Sequence, residues 1–329
     1  MKKLILTVLG LTLFTTSCSD DDSNLTSETS NLNLSLTGLE DLGENFVYEG
    51  WIMVNGSPVT TGRFSINSTG QLSQTAFPVL KSQLDAASAF ILTIEPAVGD
   101  VPAPSDIHVL AGDFSGSNGS LTVQHPAALG NNFSTSAGKY ILATPTDSNM
   151  NNEDSGVWFL DNSSGSPVAG LNLPTLPQGW KYEGWVVFNG TPISTGSFTS
   201  VTGSDSTGMF SGTLGSPPFP GEDFLMNAPA GLTFPTSLLG KTIVISVEPS
   251  PDNSPAPFAL KPLIHNVPSN AGVHSVLTMN QNLSTIPTGS VSRWFNFAKL
   301  LLREEFFFLL LFFIGFYMNF IRLLISYKS

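Results

Sequence analysis

Four glutamates stand in two matched contexts. Glu49 and Glu183 each lie within Tyr-Glu-Gly-Trp, and Glu95 and Glu248 each precede a proline, Pro96 and Pro249. If such carboxylates meet in a cleft, they can contact a ligand or a cation, or divide acid and base roles between shifted pKa values. The reading we favour is structural: each carboxylate accepts turn N–H groups or pairs with a nearby base. The four histidines, His108, His125, His265 and His274, show no His-x-x-x-His spacing and no adjoining carboxylate, so no transition-metal site is expected. Asp147-Ser-Asn149-Met-Asn151-Asn-Glu153-Asp154 begins like a calcium loop. It lacks glycine at the sixth position and has Trp158 at the twelfth, so a solvated acidic loop is the default. Neither Gly-x-Ser-x-Gly nor a phosphate-binding Gly-x-x-x-x-Gly-Lys-Ser/Thr run is present. No catalytic residue, metal, cofactor or enzyme activity is therefore expected. Trp51 and Trp185 occupy matched positions and read as core, a sugar-stacking platform being the lesser reading. Trp158 and Trp180 have no such counterpart and are more open to a surface role.

These residues need a scaffold, and composition selects it. Of 329 residues, 30 are Gly and 23 Pro, while only 12% are charged, about half the usual share. That is a turn-rich, strand-rich chain, and it argues against helical bundles and Rossmann-type enzymes. Residues 18–292 carry 6 Lys/Arg against 23 Asp/Glu. A body this acidic repels phosphate backbones, so nucleic acid is excluded as a partner.

Cys18 is the only cysteine. Lys2 and Lys3 precede an apolar stretch, Leu4–Phe14, too short to span a bilayer. Thr15-Thr16-Ser17-Cys18 then resembles a bacterial lipobox in the relaxed form of Bacteroidota lipoproteins. The resemblance implies cleavage before Cys18 and lipid attachment to its sulfur. Ser19, Asp20, Asp21 and Asp22 resemble the export signal that sends such lipoproteins to the outer face of the outer membrane. The expected order is a signal peptide over 1–17 and a flexible tether over 18–44.

An internal repeat organises the rest. Tyr48–Phe64 recurs as Tyr182–Phe198 with ten of 17 positions identical, at an offset of 134. Leu92-Thr-Ile-Glu95-Pro96 with Pro102-Ala103-Pro104 recurs as Ile245-Ser-Val-Glu248-Pro249 with Pro255-Ala256-Pro257, at an offset of 153. The second copy thus carries 19 extra residues, in the Gly/Ser/Pro stretch around 202–230. A period this long signals tandem domains, not a solenoid. Asn55-Gly56 predicts a hairpin turn, and Pro58 beyond it admits a longer or bulged one. Strands are expected at 48–54, 59–64, 90–94, 107–110, 120–124, 139–143 and 157–160, with one short helix over 80–88. The fold class is all-β: two tandem β-sandwich-like domains, 45–175 and 176–293.

At both anchors the chain resembles the extracytoplasmic C-terminal domain of anti-sigma-K factors (RskA type). The shared features are an aromatic-x-x-Trp strand (Trp51, Trp185), a turn with proline, and a strand ending in Glu-Pro before a proline loop. The resemblance covers roughly residues 45–290 in two copies and implies the fold. Anti-sigma factors also grip their target with a cytoplasmic helical segment, and here a signal peptide stands in that place.

Composition changes after Arg293. Residues 294–329 hold nine of the 24 Phe, and Phe306–Met318 is unbroken apolar sequence. This tail reads as out-of-frame translation, as an apolar transmembrane helix of marginal length, or as a partner-binding helix. The functional expectation is a lipid-anchored, surface-exposed outer-membrane protein with a non-enzymatic binding, sensing or structural role. Its partners are membrane lipid through Cys18 and an unidentified extracellular or periplasmic ligand or protein. The alternative is an envelope component of anti-sigma-type signalling to an extracytoplasmic-function sigma factor.

Overall fold

The computed structural model describes residues 28–251 and 254–293. The signal peptide, Cys18, the Ser19–Asp22 run and the tail at 294–329 lie outside the described residues. Among those described, no helix is long and apolar enough to cross a membrane.

The all-β expectation holds. In chain order come β1 (Thr29–Thr37), β2 (Phe46–Val54), β3 (Ser57–Phe64), β4 (Ala76–Leu80), a short helix α1 (Lys81–Ala86), β5 (Ala87–Pro96), β6 (His108–Asp113) and β7 (Asn118–Thr122). Then follow β8 (Ala137–Leu142), β9 (Gly156–Trp158), β10 (Leu160–Asp161), β11 (Val168–Ala169), β12 (Leu171–Asn172), β13 (Trp180–Phe188), β14 (Thr191–Phe198) and β15 (Gly221–Asp223). The last are β16 (Thr242–Pro249), β17 (Leu263–Asn266), β18 (Leu277–Thr278), β19 (Asn280–Gln281) and β20 (Thr288–Arg293).

Each repeat opens with the same hairpin. Asn55 and Asn189 both have φ of 51°, followed by Gly56 at 80° and Gly190 at 90°. This is the two-residue turn whose twist matches that of paired strands. Val54 pairs with Ser57, so Pro58 does not lengthen the turn; it sits opposite Met53 in the register. The irregularity comes later. Trp51 pairs with Thr60 and Gly50 with Gly62, leaving Thr61 as the extra residue of a bulge. Thr195 repeats it between Ser194 and Gly196. Gly62 and Gly196 carry φ of 124° and 116°, which a side chain would strain.

The eight-stranded first sheet runs β3-β2-β5-β6-β7-β20-β1-β4. It curls until the Phe64 ring of β3 lies 5.7 Å from the Phe77 ring of β4, making a nearly closed barrel. This corrects two expected boundaries. The supposed tether over 18–44 contains β1, because Leu32, Leu34 and Leu36 alternate with polar residues and bury one face. The supposed second domain, 176–293, ends in β20, yet β20 lies between β7 and β1 of the first unit. Arg293 fixes it there. Its guanidinium donates to the Leu84, Ala87 and Gly116 carbonyls and stacks 4.1 Å from the Phe114 ring.

The second unit is correspondingly shifted. Its strands β14-β13-β16-β17-β19 match β3-β2-β5-β6-β7. It is completed by β8, which pairs with β18 on one side and with β12 and β9 on the other. Leu171 faces Gly138 as Leu36 faces Gly289, so β8 holds the place of β20. The expected first domain, 45–175, therefore includes residues 137–172 that belong to the second unit. The second unit is a circular permutation of the first, nested between β7 and β20. Buried apolar side chains form one continuous core through both units.

Candidate binding cleft

The repeated glutamates are structural anchors. Glu95 Oε1 accepts the Ser105 N–H at 2.8 Å, and Glu248 accepts the Phe258 N–H at 2.9 and 3.2 Å. Each carboxylate ties the far end of its proline loop back to the strand before it, beyond Pro96 and Pro249. Glu49 accepts Arg63 Nε–H at 2.7 Å and the Thr60 hydroxyl, while Glu183 accepts the Ser194 hydroxyl. Within a unit the two glutamates share a sheet face as diagonal neighbours, since Val47 is opposite Glu95 and Glu49 opposite Thr93. Their hydrogen bonds serve separate strands and loops.

Trp51 and Trp185 are buried on the outer face of β2 and β13. Their indole N–H groups donate to Thr93 at 2.9 Å and Ser246 at 2.8 Å. Trp180 is also buried, packed edge-on against Phe258.

The histidines do find partners. His108 Nδ1 lies 2.7 Å from the Ala127 carbonyl, and His265 Nδ1 lies 2.7 Å from the Tyr140 hydroxyl. His125 sits 3.5 Å from Asp113, and His274 sits 3.3 Å from Glu153. Among the described residues no group of three or more potential ligating side chains could hold a metal ion. In the acidic loop, Asp147 Oδ1 accepts the Asn149 N–H and Asn149 Oδ1 accepts the Asn151 N–H. The loop's oxygens thus cap its own turns.

That loop forms one rim of a cleft of about 620 Å³ on the outside of the second unit. The strand period builds its floor. Tyr140, Leu142, Val157 and Phe159 point into the barrel, so Ile141, Trp158 and Leu160 point out. Phe219 and the neighbouring prolines Pro217 and Pro218, from the long insertion of the second copy, form the opposite wall. Asp147, Glu153, Asn162 and His274 supply polar groups at the edge. His274 has a left-handed backbone with φ of 59°, held by its N–H to the Leu142 carbonyl at 2.9 Å.

The first unit serves as an internal control. There β20 and β1 present Ser292 opposite Asn33 and Ser290 opposite Ser35. In the second unit Ile141 faces Trp158 at the position of Ser292 and Asn33. At this one position the same fold thus carries polar outward residues in one copy and the apolar floor of a cleft in the other.

Beneath the insertion lie two buried carboxylates, Glu222 and Asp223, and a half-buried one, Asp205, without counterpart in the first unit. Asp223 accepts the Trp158 indole N–H at 2.6 Å and the Thr146 N–H at 2.9 Å, fixing the tryptophan that floors the cleft. Burial raises its pKa, and the hydrogen bonds oppose that rise. Burial likewise pushes Asp205 and Glu222 up to about 7, and Asp205's charge adds to the effect on Glu222. Asp205 accepts the Gly221 N–H at 2.8 Å, and Glu222 accepts the Ser211 hydroxyl.

Three sequence signals bear on this cleft: the 19 extra residues of the second copy, an unmatched Trp158 and the acidic loop. Their convergence is not legible, because the strand that joins them, β8, lies among the residues assigned to the other domain. The His274–Glu153 approach spans 121 positions and leaves no local trace. No protein-family model, curated protein or solved structure matches this chain.

Proposed function

We propose that this chain is a lipid-anchored cell-envelope protein, held to the membrane through Cys18, that binds a ligand at the second-unit cleft without transforming it. The observation that carries the binding role is the difference between two copies of one fold. Barrel stability does not require an apolar exterior at Ile141, Trp158 and Leu160, since the first unit does without it. A largely apolar cleft with few polar groups at its edge is the usual form of a small-molecule site. The lipobox-like Thr15–Cys18 run and the acidic Asp20–Asp22 run support the anchor and an outward-facing address. The likeness of both anchors to the anti-sigma-K outer domain agrees with a sensing role outside the cytoplasm.

The test is binding of a neutral apolar fluorophore, N-phenyl-1-naphthylamine, to the purified protein. Phe219→Ala removes a cleft wall and is expected to weaken binding about tenfold, a loss on the order of 1.4 kcal/mol. Asn33→Ala, at the matched face of the first unit, leaves binding unchanged. Equal binding by wild type and both variants, each shown to be folded, overturns the assignment of the cleft.

A further inference from the structure

Resting on that assignment, we propose that the cleft selects a small amphiphile with an apolar or aromatic body and a cationic head. The body is specified by Ile141, Trp158, Leu160 and Phe219, which form one apolar cluster on the outside of the barrel. The head is specified by the charges around the opening. Asp147 and Glu153 line the cleft, and among the described residues no Lys or Arg does. Among the described residues neither carboxylate pairs with a lysine or arginine. Asp147 accepts the Asn149 N–H at 3.1 Å and the Asn152 side-chain amide at 2.8 Å. Glu153 accepts the Thr144 N–H at 3.0 Å and faces His274.

The Asn149, Asn152 and Thr144 donors are uncharged, so they orient both carboxylates and leave them anionic toward what enters. Lys139, two residues before Ile141 of the floor, pairs with Asp161 at 2.6 Å and lies outside the lining. The wider molecule has the same sign: the 23 acidic against 6 basic residues of 18–292 favour the approach of cations and repel anionic amphiphiles. An anionic fatty acid would thus fit the floor but not the rim.

Three probes of one shape separate the terms: 2-naphthylmethylammonium, 2-naphthylmethanol and 2-naphthoate. Binding is measured by isothermal titration to the full chain in phosphatidylcholine nanodiscs, with empty nanodiscs subtracted. The expected order is cation, neutral, anion, each step about fivefold. The Asp147→Asn/Glu153→Gln double variant removes the preference for the cation over the neutral probe. Raising salt from 20 to 500 mM on the wild type narrows the same gap, which keeps the test independent of the variant's folding. Neutral binding with no preference for the cation, or with preference for the anion, overturns the cationic selectivity and leaves the cleft standing. Failure of all three probes overturns the cleft assignment together with its selectivity.

Discussion

Asp205 and Glu222 make the second unit sensitive to pH. In the unfolded chain these groups titrate near their ordinary values, and in the fold near 7. Between about pH 4 and 7 the folded state therefore holds protons that the unfolded state has lost. Stability falls as pH rises through that window and levels off above about 7. Asp205→Asn and Glu222→Gln should flatten this slope, each recovering on the order of 2–3 kcal/mol at pH 8. Denaturant melts at pH 5 and pH 8 check it; a wild type more stable at pH 8 than at pH 5 would refute it. Glu95 and Glu248 serve instead as acceptors that hold the proline loops. Glu248→Ala leaves the Phe258 N–H without its acceptor and should cost about 1–3 kcal/mol. Urea midpoints measure that loss. The preference for structural carboxylates over a paired ligand site is legible in the sequence, because a Glu-Pro that ends a strand has a loop to close. The Asp205–Glu222–Asp223 group is not legible, since nothing in a Gly/Ser/Pro stretch indicates which acids fold under it.

At the scale of the element, the repeated hairpins repeat a defect as well as a turn. Thr61 and Thr195 sit in the bulges with their hydroxyls buried and without a hydrogen-bond partner. Each replacement by valine should stabilise the protein by about 1 kcal/mol, because an unsatisfied hydroxyl gives way to a group of similar shape. A fall in melting temperature for Thr195→Val would contradict that account. The turn itself was legible from Asn-Gly, since the paired positive φ values demand those residues. The bulge was not, although Thr-Gly occurs at the same place in both copies, because bulges leave a pairing signature and not a compositional one. β1 is hidden for a related reason: Asn-Leu-Asn-Leu-Ser-Leu alternates correctly, but it lies in polar, aromatic-poor sequence that reads as a tether.

On the whole-molecule scale, sequence repeat and folding unit are out of phase. The repeat invites a cut near residue 176, whereas the second unit's strands run from β8 to β19. A fragment over 131–287 should therefore fold cooperatively, and one over 176–293 should not, since it lacks β8, β9 and β12 and carries β20 with no sheet to join. Circular dichroism melts of the two fragments decide it, and the reverse result would overturn the nested arrangement. Arg293→Ala, which frees the two buried carbonyls of Leu84 and Ala87, should cost the first unit on the order of 3 kcal/mol. The placement of β20 could not be read from sequence, because Thr-Gly-Ser-Val-Ser-Arg carries no address for a partner strand so far away. That placement also sets a timetable. β20 follows the end of β7 by 166 residues, so in the proposed export, as the chain is threaded across the membrane, it emerges only after the whole second unit. Until then the unit made first stands with β7 and β1 unzipped, while the unit made second can already close. Synthesis order and completion order are thus reversed, and a nascent chain stalled before residue 288 would expose two adhesive strand edges to whatever holdase accompanies it.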